Sequence, residues 1–299
     1  MSWFNYSAGA VLPYLPKWLI KPFAKPYVAG ETLDSVLDQV GKINKQGFKT
    51  TIDILGEHVI NVNEALEVKK AYCNLYDRLD LIGEDNTVSL KLSHLGLELD
   101  PLLAEKNLNS IIEKSKSTGL GLTIDMEKSD FTDITLKIYF KAQKQHSGVG
   151  TVLQSYLHRS LDDLKALDSE NLHLRICKGI YRESPLIAFQ GAAEIRQNFF
   201  DMAKTLMTGR GYACLATHDI TLIDRLEAFI ENNNIPSNKF EFQTLLGVPM
   251  GNRLHELKEK GYAVRIYIPY GQSWFEYSLR RLEENPAIIS YVLGNLFRR

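Results

Sequence analysis

The sequence predicts an α/β fold, a (βα)8 TIM barrel, on three observations. First, eight short apolar stretches alternate with longer stretches of helical periodicity. Their starts lie tens of residues apart, as parallel strands need when each crossover carries a helix. Second, eight such units fill about 250 residues, the usual size of this barrel, and the chain has 299. Third, the turn after the first strand is Gly56-Glu57-His58, without the GxGxxG of a doubly wound nucleotide-binding sheet. Gly119 and Gly121 precede a strand rather than follow one, and neither a Walker A loop nor a GxSxG occurs.

The elements follow in order. Residues 1–45 read as a helical arm and 46–299 as the barrel domain. Within the arm, Glu31–Lys45 carries Leu33, Val36, Leu37, Val40 and Ile43 as a helical stripe. Thr32 is the expected N-cap, and Ser35 is not expected to complete a capping box. Strands are expected at Thr50–Leu55, Thr87–Leu92, Leu120–Asp125, Gly150–Gln154, Leu172–Cys177, Tyr212–Ala216, Phe240–Leu245 and Ala263–Ile268. Helices are expected at Asn63–Leu79, Leu102–Lys116, Thr132–Gln145 and Leu222–Asn232.

Chemistry in such a barrel gathers at the C-terminal ends of the strands. Those positions hold Asp53 and Glu57, then Lys91, Asp125, Gln154, Arg175 with Lys178, Thr217-His218-Asp219, Gln243 and Tyr267. A buried charge costs several kcal/mol unless it is paired. Any one of these residues is as well explained as a structural hydrogen-bond partner; together they point to one polar site. After the eighth strand, Tyr277, Arg280, Arg281 and Glu284 stand at i, i+3, i+4 and i+7 of a C-terminal helix, on one face. Two guanidinium groups beside a tyrosine make a carboxylate clamp; a solvated amphipathic helix is the competing reading.

Composition narrows the classes. Lys+Arg number 35 against 36 Asp+Glu, for a formal charge of −1, so no basic excess drives nucleic-acid binding. Three cysteines without CxxC, and histidines without HxH or HExxH, argue against a zinc site and for a reducing compartment. No apolar run reaches membrane-spanning length. Ala8–Ile20 is broken by Pro13 and Pro16 and is preceded by no positive charge, unlike a signal peptide. A cytoplasmic enzyme is expected. Trp3, Phe4, Trp18 and Phe23 with Lys17, Lys21 and Lys25 suit either packing on the barrel, the favoured reading, or peripheral contact with the inner membrane.

The motifs resemble those of the proline dehydrogenase family. Tyr277-Ser-Leu-Arg280-Arg281-Leu-Glu-Glu284-Asn285 is similar to its YxxRRxxEN helix, and Arg175-Ile-Cys-Lys178-Gly179-Ile-Tyr181 to its RLVKGAY strand. Ala216-Thr217-His218-Asp219 is similar to its ATHN, and Phe242-Gln243-Thr-Leu245-Leu-Gly247 to its FQxLxGM. Asp53-Ile-Leu-Gly56-Glu57, Leu90-Lys91-Leu-Ser93, Ile124-Asp125-Met126-Glu127 and Val28-Ala29-Gly30-Glu31-Thr32 match further segments, in family order.

The resemblance implies a distorted barrel of the monofunctional bacterial type that uses FAD to oxidise L-proline to pyrroline-5-carboxylate. A hydride would pass from the ring carbon beside nitrogen to flavin N5, and the electrons onward to a quinone-type acceptor. A separate pyrroline-5-carboxylate dehydrogenase would act downstream. Arg280, Arg281 and Lys91 would hold the proline carboxylate, and Glu57 would pair with Arg280. Tyr267, hydrogen-bonded by Asp125, would pack on the proline ring and crowd a 4-hydroxyl group. Tyr277, Leu245 and Tyr181 would line or close the pocket. Arg175 would sit near flavin N5 and Gln154 at the ring, with Lys178, Gly179, Thr217, His218 and Glu284 on the rest of FAD. Three positions depart from the family. Ile180 replaces Ala, making the pocket wall bulkier; Cys177 replaces Val; and Asp219 replaces Asn, adding negative charge near the cofactor. The helix after the fifth strand is expected from Ala188.

Two other classes compete. A flavin-free lyase or aldolase barrel would use Lys91 or Lys178 as a Schiff-base nucleophile on a small anionic metabolite. A non-catalytic barrel would have lost turnover altogether.

Overall fold

The computed structural model describes residue 21 and residues 25–83, 85–167 and 171–284, with side chains as far as Leu279. Eight parallel strands close a barrel in sequence order: β1 (Lys49–Ile54), β2 (Asn86–Leu90), β3 (Leu122–Ile124), β4 (Val149–Gln154), β5 (His173–Cys177), β6 (Tyr212–Ala216), β7 (Phe240–Leu245) and β8 (Ala263–Tyr270). Closure comes from β8 on β1, paired from Lys49↔Arg265 to Ile54↔Tyr270. This excludes an open doubly wound sheet.

The helices are α1 (Leu33–Asn44), α2 (Val62–Leu79), α3 (Pro101–Thr118), α4 (Thr132–Gln145), α5 (Ser160–Leu167), α6 (Ala192–Thr208), α7 (Ile220–Asn232), α8 (Arg253–Glu259) and α9 (Trp274–Glu284). Local chemistry explains their starts. Asn61 caps α2 by accepting from Glu64 N, Asp100 caps α3 ahead of Pro101, and Asp219 caps α7. At α1 the expectation about Ser35 was wrong. Ser35 N donates to Thr32 Oγ1 and Thr32 N donates to Ser35 Oγ, both at 3.3 Å, which completes the capping box. Gly30 leaves the room for this: a Cβ there would lie 2.5 Å from Ser35 Oγ. The helix after β5 starts at Ala192 rather than Ala188, because the chain first turns with Ala188 N on Ser184 O.

Alternate strand residues face two different layers. One set, including Ile52, Val88, Leu90, Leu174, Ile176, Phe242, Ile266 and Ile268, is buried in one apolar cluster with the helices. Each fully buried side chain of this kind contributes about 1.5–3 kcal/mol. The other set is also buried but polar: Thr51, Asp53, Ser89, Arg175, Glu241, Gln243 and Arg265. Branched aliphatics usually fill this interior.

Outside the barrel, Ala29 N donates to Pro269 O at 2.9 Å and Gly271 N to Gly30 O at 3.0 Å, tying the segment before α1 to the turn before α9. Of the N-terminal basic residues, Lys21 pairs with Glu31 at 3.3 Å and lies 5.9 Å from the Trp274 ring. The aromatic residues of that segment lie outside the described residues.

Candidate active site

The barrel interior is a connected set of hydrogen bonds with Arg175 at its centre. Arg175 Nε donates to Gln243 Oε1 at 2.7 Å; Nη1 donates to Asp125 Oδ1 at 2.5 Å and Ser89 Oγ at 3.0 Å. Nη2 has no hydrogen-bond partner among the described residues, and the residue is only 7 % exposed. Asp125 also accepts from Ser89 Oγ at 2.8 Å and from Tyr267 Oη at 3.0 Å. The guanidinium carbon of Arg175 sits 5.3 Å from the Tyr267 ring centroid. Three of the predicted site residues therefore meet in one cluster drawn from β5, β8 and the end of β3.

A second cluster adjoins it. Lys91, just past β2, donates to Asp53 Oδ2 at 3.2 Å, and Tyr72 Oη from α2 donates to Asp53 Oδ1 at 3.3 Å. Burial raises the Asp53 carboxyl, the Lys91 ammonium lowers it, and Asp125 raises it again; the net direction is up. For Lys91, burial favours the neutral amine, but Asp53 and then Asp125 outweigh it and hold the ammonium well above its ordinary value. Burial, then Asp125 and Asp53, push the Tyr267 phenol well up, so it remains a donor.

Below Arg175, Gln243 Nε2 donates to Glu241 Oε1 at 2.5 Å. Arg265 clamps the same carboxylate, with Nε at 2.7 Å and Nη2 at 3.0 Å.

The ends of β4, β5 and β6 form the other side of the mouth. Gln154 is 2 % exposed; its Nε2 donates to Met126 O at 3.4 Å, which fixes the amide orientation, and its Oε1 has no partner. Gly179 has φ +101°, and a Cβ there would lie 2.2 Å from Tyr156 Cδ1, so the Tyr156 ring itself requires glycine. Lys178 pairs with Asp219 at 2.6 Å, and Arg196 of α6 pairs with the same carboxylate oxygen. Burial raises the Asp219 carboxyl, but these two cations hold it down to about 2. Asp219 thus organises two cations and caps α7. Buried Thr217 accepts from Asp219 N at 3.2 Å, and His218 Nε2 accepts from Leu245 N at 3.3 Å.

The remaining predicted residues lie at the same end of the barrel. Leu245 ends β7, and Tyr181 lies half-buried on the loop after β5. Glu57 follows β1, 3.8 Å from His58 Nε2. Tyr277 lies on α9, 8 % exposed. Arg280, Arg281 and Glu284 are on α9 by backbone, while their side chains, and with them the Glu57–Arg280 pair, lie outside the described residues. Ile180 is 54 % exposed on its loop. Sequence reasoning missed Ser89, Glu241 and Arg265. Their signal was polarity at every second residue through the middle of β2, β7 and β8, not only at the ends.

Comparison with known proteins places this arrangement. The proline dehydrogenase family profile matches residues 36–292. Proline dehydrogenase 1 of Bacillus subtilis subsp. natto is 34 % identical over 276 residues, covering 92 % of this chain and 91 % of that one. Proline dehydrogenase of Deinococcus radiodurans is 32 % identical, covering 92 % and 90 %. The crystal structure of proline utilization A from Bdellovibrio bacteriovorus, inactivated by N-propargylglycine, superposes with a TM-score of 0.82 at 24 % identity. It covers 92 % of this chain and 34 % of that one and shares its barrel fold.

Proposed function

The chain belongs to the proline dehydrogenase family and is an oxidoreductase acting on proline, and from that premise we propose that it oxidises L-proline to pyrroline-5-carboxylate with FAD, delivering electrons to a quinone-type acceptor. The observation that carries this reading is the buried Arg175, fixed by Gln243, Ser89 and Asp125 with Nη2 left over.

The residues present fit a flavin. Gln154 Oε1 is a sealed acceptor awaiting an N–H, and an unpartnered sealed acceptor costs about 1–3 kcal/mol. Lys178 and Arg196 gather cationic charge at the ends of β5 and β6, with Gly179, Thr217 and His218 on the same loops, and Glu284 of α9 would add a further contact. When bound, FAD supplies the hydride acceptor. Arg175 Nη2 supplies positive charge beside it, in a site preorganised and shielded from water.

The substrate is held by charge. Arg280, Arg281 and Lys91 take the carboxylate, each charge-assisted bond contributing about 1.5–3 kcal/mol. Asp53 takes one of the three N–H groups of Lys91, leaving two for the ligand. Glu57 balances the excess positive charge. Tyr267, its hydroxyl held by Asp125, presents its ring to the pyrrolidine, with Tyr277, Leu245 and Tyr181 closing the apolar side. A separate pyrroline-5-carboxylate dehydrogenase consumes the product.

A Schiff-base barrel is disfavoured by the same geometry. Lys91 is held protonated by Asp53, and Lys178 is bound to Asp219, whereas a nucleophilic amine must be neutral. The test is an anaerobic absorbance spectrum of the purified protein before and after L-proline. A flavin band that bleaches supports the reading; a colourless protein that takes up no FAD on reconstitution refutes it.

A further inference from the structure

We propose that Glu241 is a positioning residue for proline oxidation, fixing the Gln243 amide so that Arg175 is held with Nη2 facing the reactive centre. The inference rests on the role of Arg175 given above and extends it to a residue that touches neither substrate nor cofactor.

A glutamine amide has two orientations of nearly equal shape and opposite polarity. Here both neighbours select the same one. Arg175 Nε needs an acceptor and finds Gln243 Oε1 at 2.7 Å; the Glu241 carboxylate needs a donor and finds Gln243 Nε2 at 2.5 Å. The reversed amide would set N–H against N–H and C=O against carboxylate at once. Glu241 is itself immobilised, 2 % exposed and clamped through both oxygens by Arg265. Arg265 is anchored in turn on the Thr50 carbonyl at 2.8 Å. The fixed frame of β1 and β8 thus reaches the guanidinium through one amide. With Nε taken by Gln243 and Nη1 by Asp125 and Ser89, no rotation of Arg175 keeps all three bonds. Nη2 alone remains for a ligand.

An exchange of side chains tests this. Gln243→Glu sets two carboxylates face to face. It should lower kcat about 100-fold, with KM for proline changed by less than about threefold, because the carboxylate clamp is elsewhere. Its activity should rise as the pH falls, since one proton restores a donor between the two groups. Adding Glu241→Gln swaps the pair: a carboxylate now accepts from Arg175 and from the new amide N–H, while the amide oxygen keeps Arg265 Nη2 and Arg265 Nε loses its acceptor. The double variant should recover kcat to within about tenfold of wild type, and the Tm of the flavin-free chain should rise only part of the way back from that of the single variant. A Gln243→Glu variant with wild-type kcat overturns the proposal. So does a double variant that regains neither kcat nor Tm over the single. If Gln243→Glu fails to fold, Gln243→Met removes both amide contacts without new charge. It should lower kcat about tenfold at unchanged KM, and an unchanged kcat overturns the proposal. All rates are ratios to wild type, so a wild-type chain inert to proline would refute the earlier reading separately.

Discussion

The two faces of the same eight strands obey different rules. Outward residues such as Ile52, Leu174, Phe242 and Ile268 join one apolar cluster with the helices. Inward residues of the same strands, such as Asp53, Arg175, Gln243 and Arg265, are also buried and hydrogen-bonded to side chains from other strand units. Burial alone therefore says nothing about role; parity along the strand does. The outer layer is non-directional and tolerates exchanges of similar volume. The inner layer is directional, because removing one partner strands the other in a place water does not reach.

The sharpest way to break the inner layer is at its centre. Arg175→Met should lower kcat/KM for proline by about 1,000-fold; retention of a tenth or more of the activity would show that the arginine is structural only. Next, Arg265→Met leaves the Glu241 carboxylate buried without its clamp and should cost about 3–5 kcal/mol in urea unfolding. A loss below about 1 kcal/mol would mean that the pair is not buried in the folded chain.

His94 tests a polar ring buried between the two regimes, 8 % exposed and packed against Gly56, with Nδ1 unpartnered. Burial, and then Lys91, press its imidazole down from 6.5 to about 4. Below pH 6.5 the unfolded chain takes up a proton that the folded chain refuses. Stability from this site is complete above pH 6.5 and gone by about pH 4, a loss of ~3 kcal/mol. Urea midpoints across that range should show it, and His94→Gln should flatten the slope; an equal slope in the variant assigns the loss to other groups. The smallest effect belongs to the outer layer. Ile268→Val should cost about 1 kcal/mol with kcat unchanged, and a change in kcat would show that the two faces are coupled.

Much of this was legible in the sequence, for a local reason. Periodicity located the strands, and α4 matches its expected bounds at both ends. Asn61, Asp100 and Asp219 mark helix starts. Polar residues at strand ends stood out because they broke apolar runs, and Asp125, Arg175 and Tyr267 do meet. What stayed hidden needs the register across the barrel. Arg175 is 68 residues from Gln243 and 86 from Ser89, and no local pattern relates them. A polar residue at i and i+2 in mid-strand, as in Glu241 and Gln243, reads equally well as a solvent-facing edge. Asp219 shows the same limit: the sequence shows the added negative charge but not Lys178 and Arg196, which pair with it.

The polar interior also bears on how the chain is made. β1 leaves the ribosome long before its partner: Arg265, which bonds to Thr50, comes 215 residues later. At about 5–20 residues per second that is a wait of roughly 10–40 s. During it the nascent half-barrel has an open concave side. Were that side aliphatic, it would be a sticky trough inviting neighbouring chains. Lined with Thr51, Asp53, Ser89 and Lys91, it is a wettable surface until β8 seals it. The polar lining of the finished barrel thus leaves less apolar surface open to neighbouring chains while the sheet is incomplete.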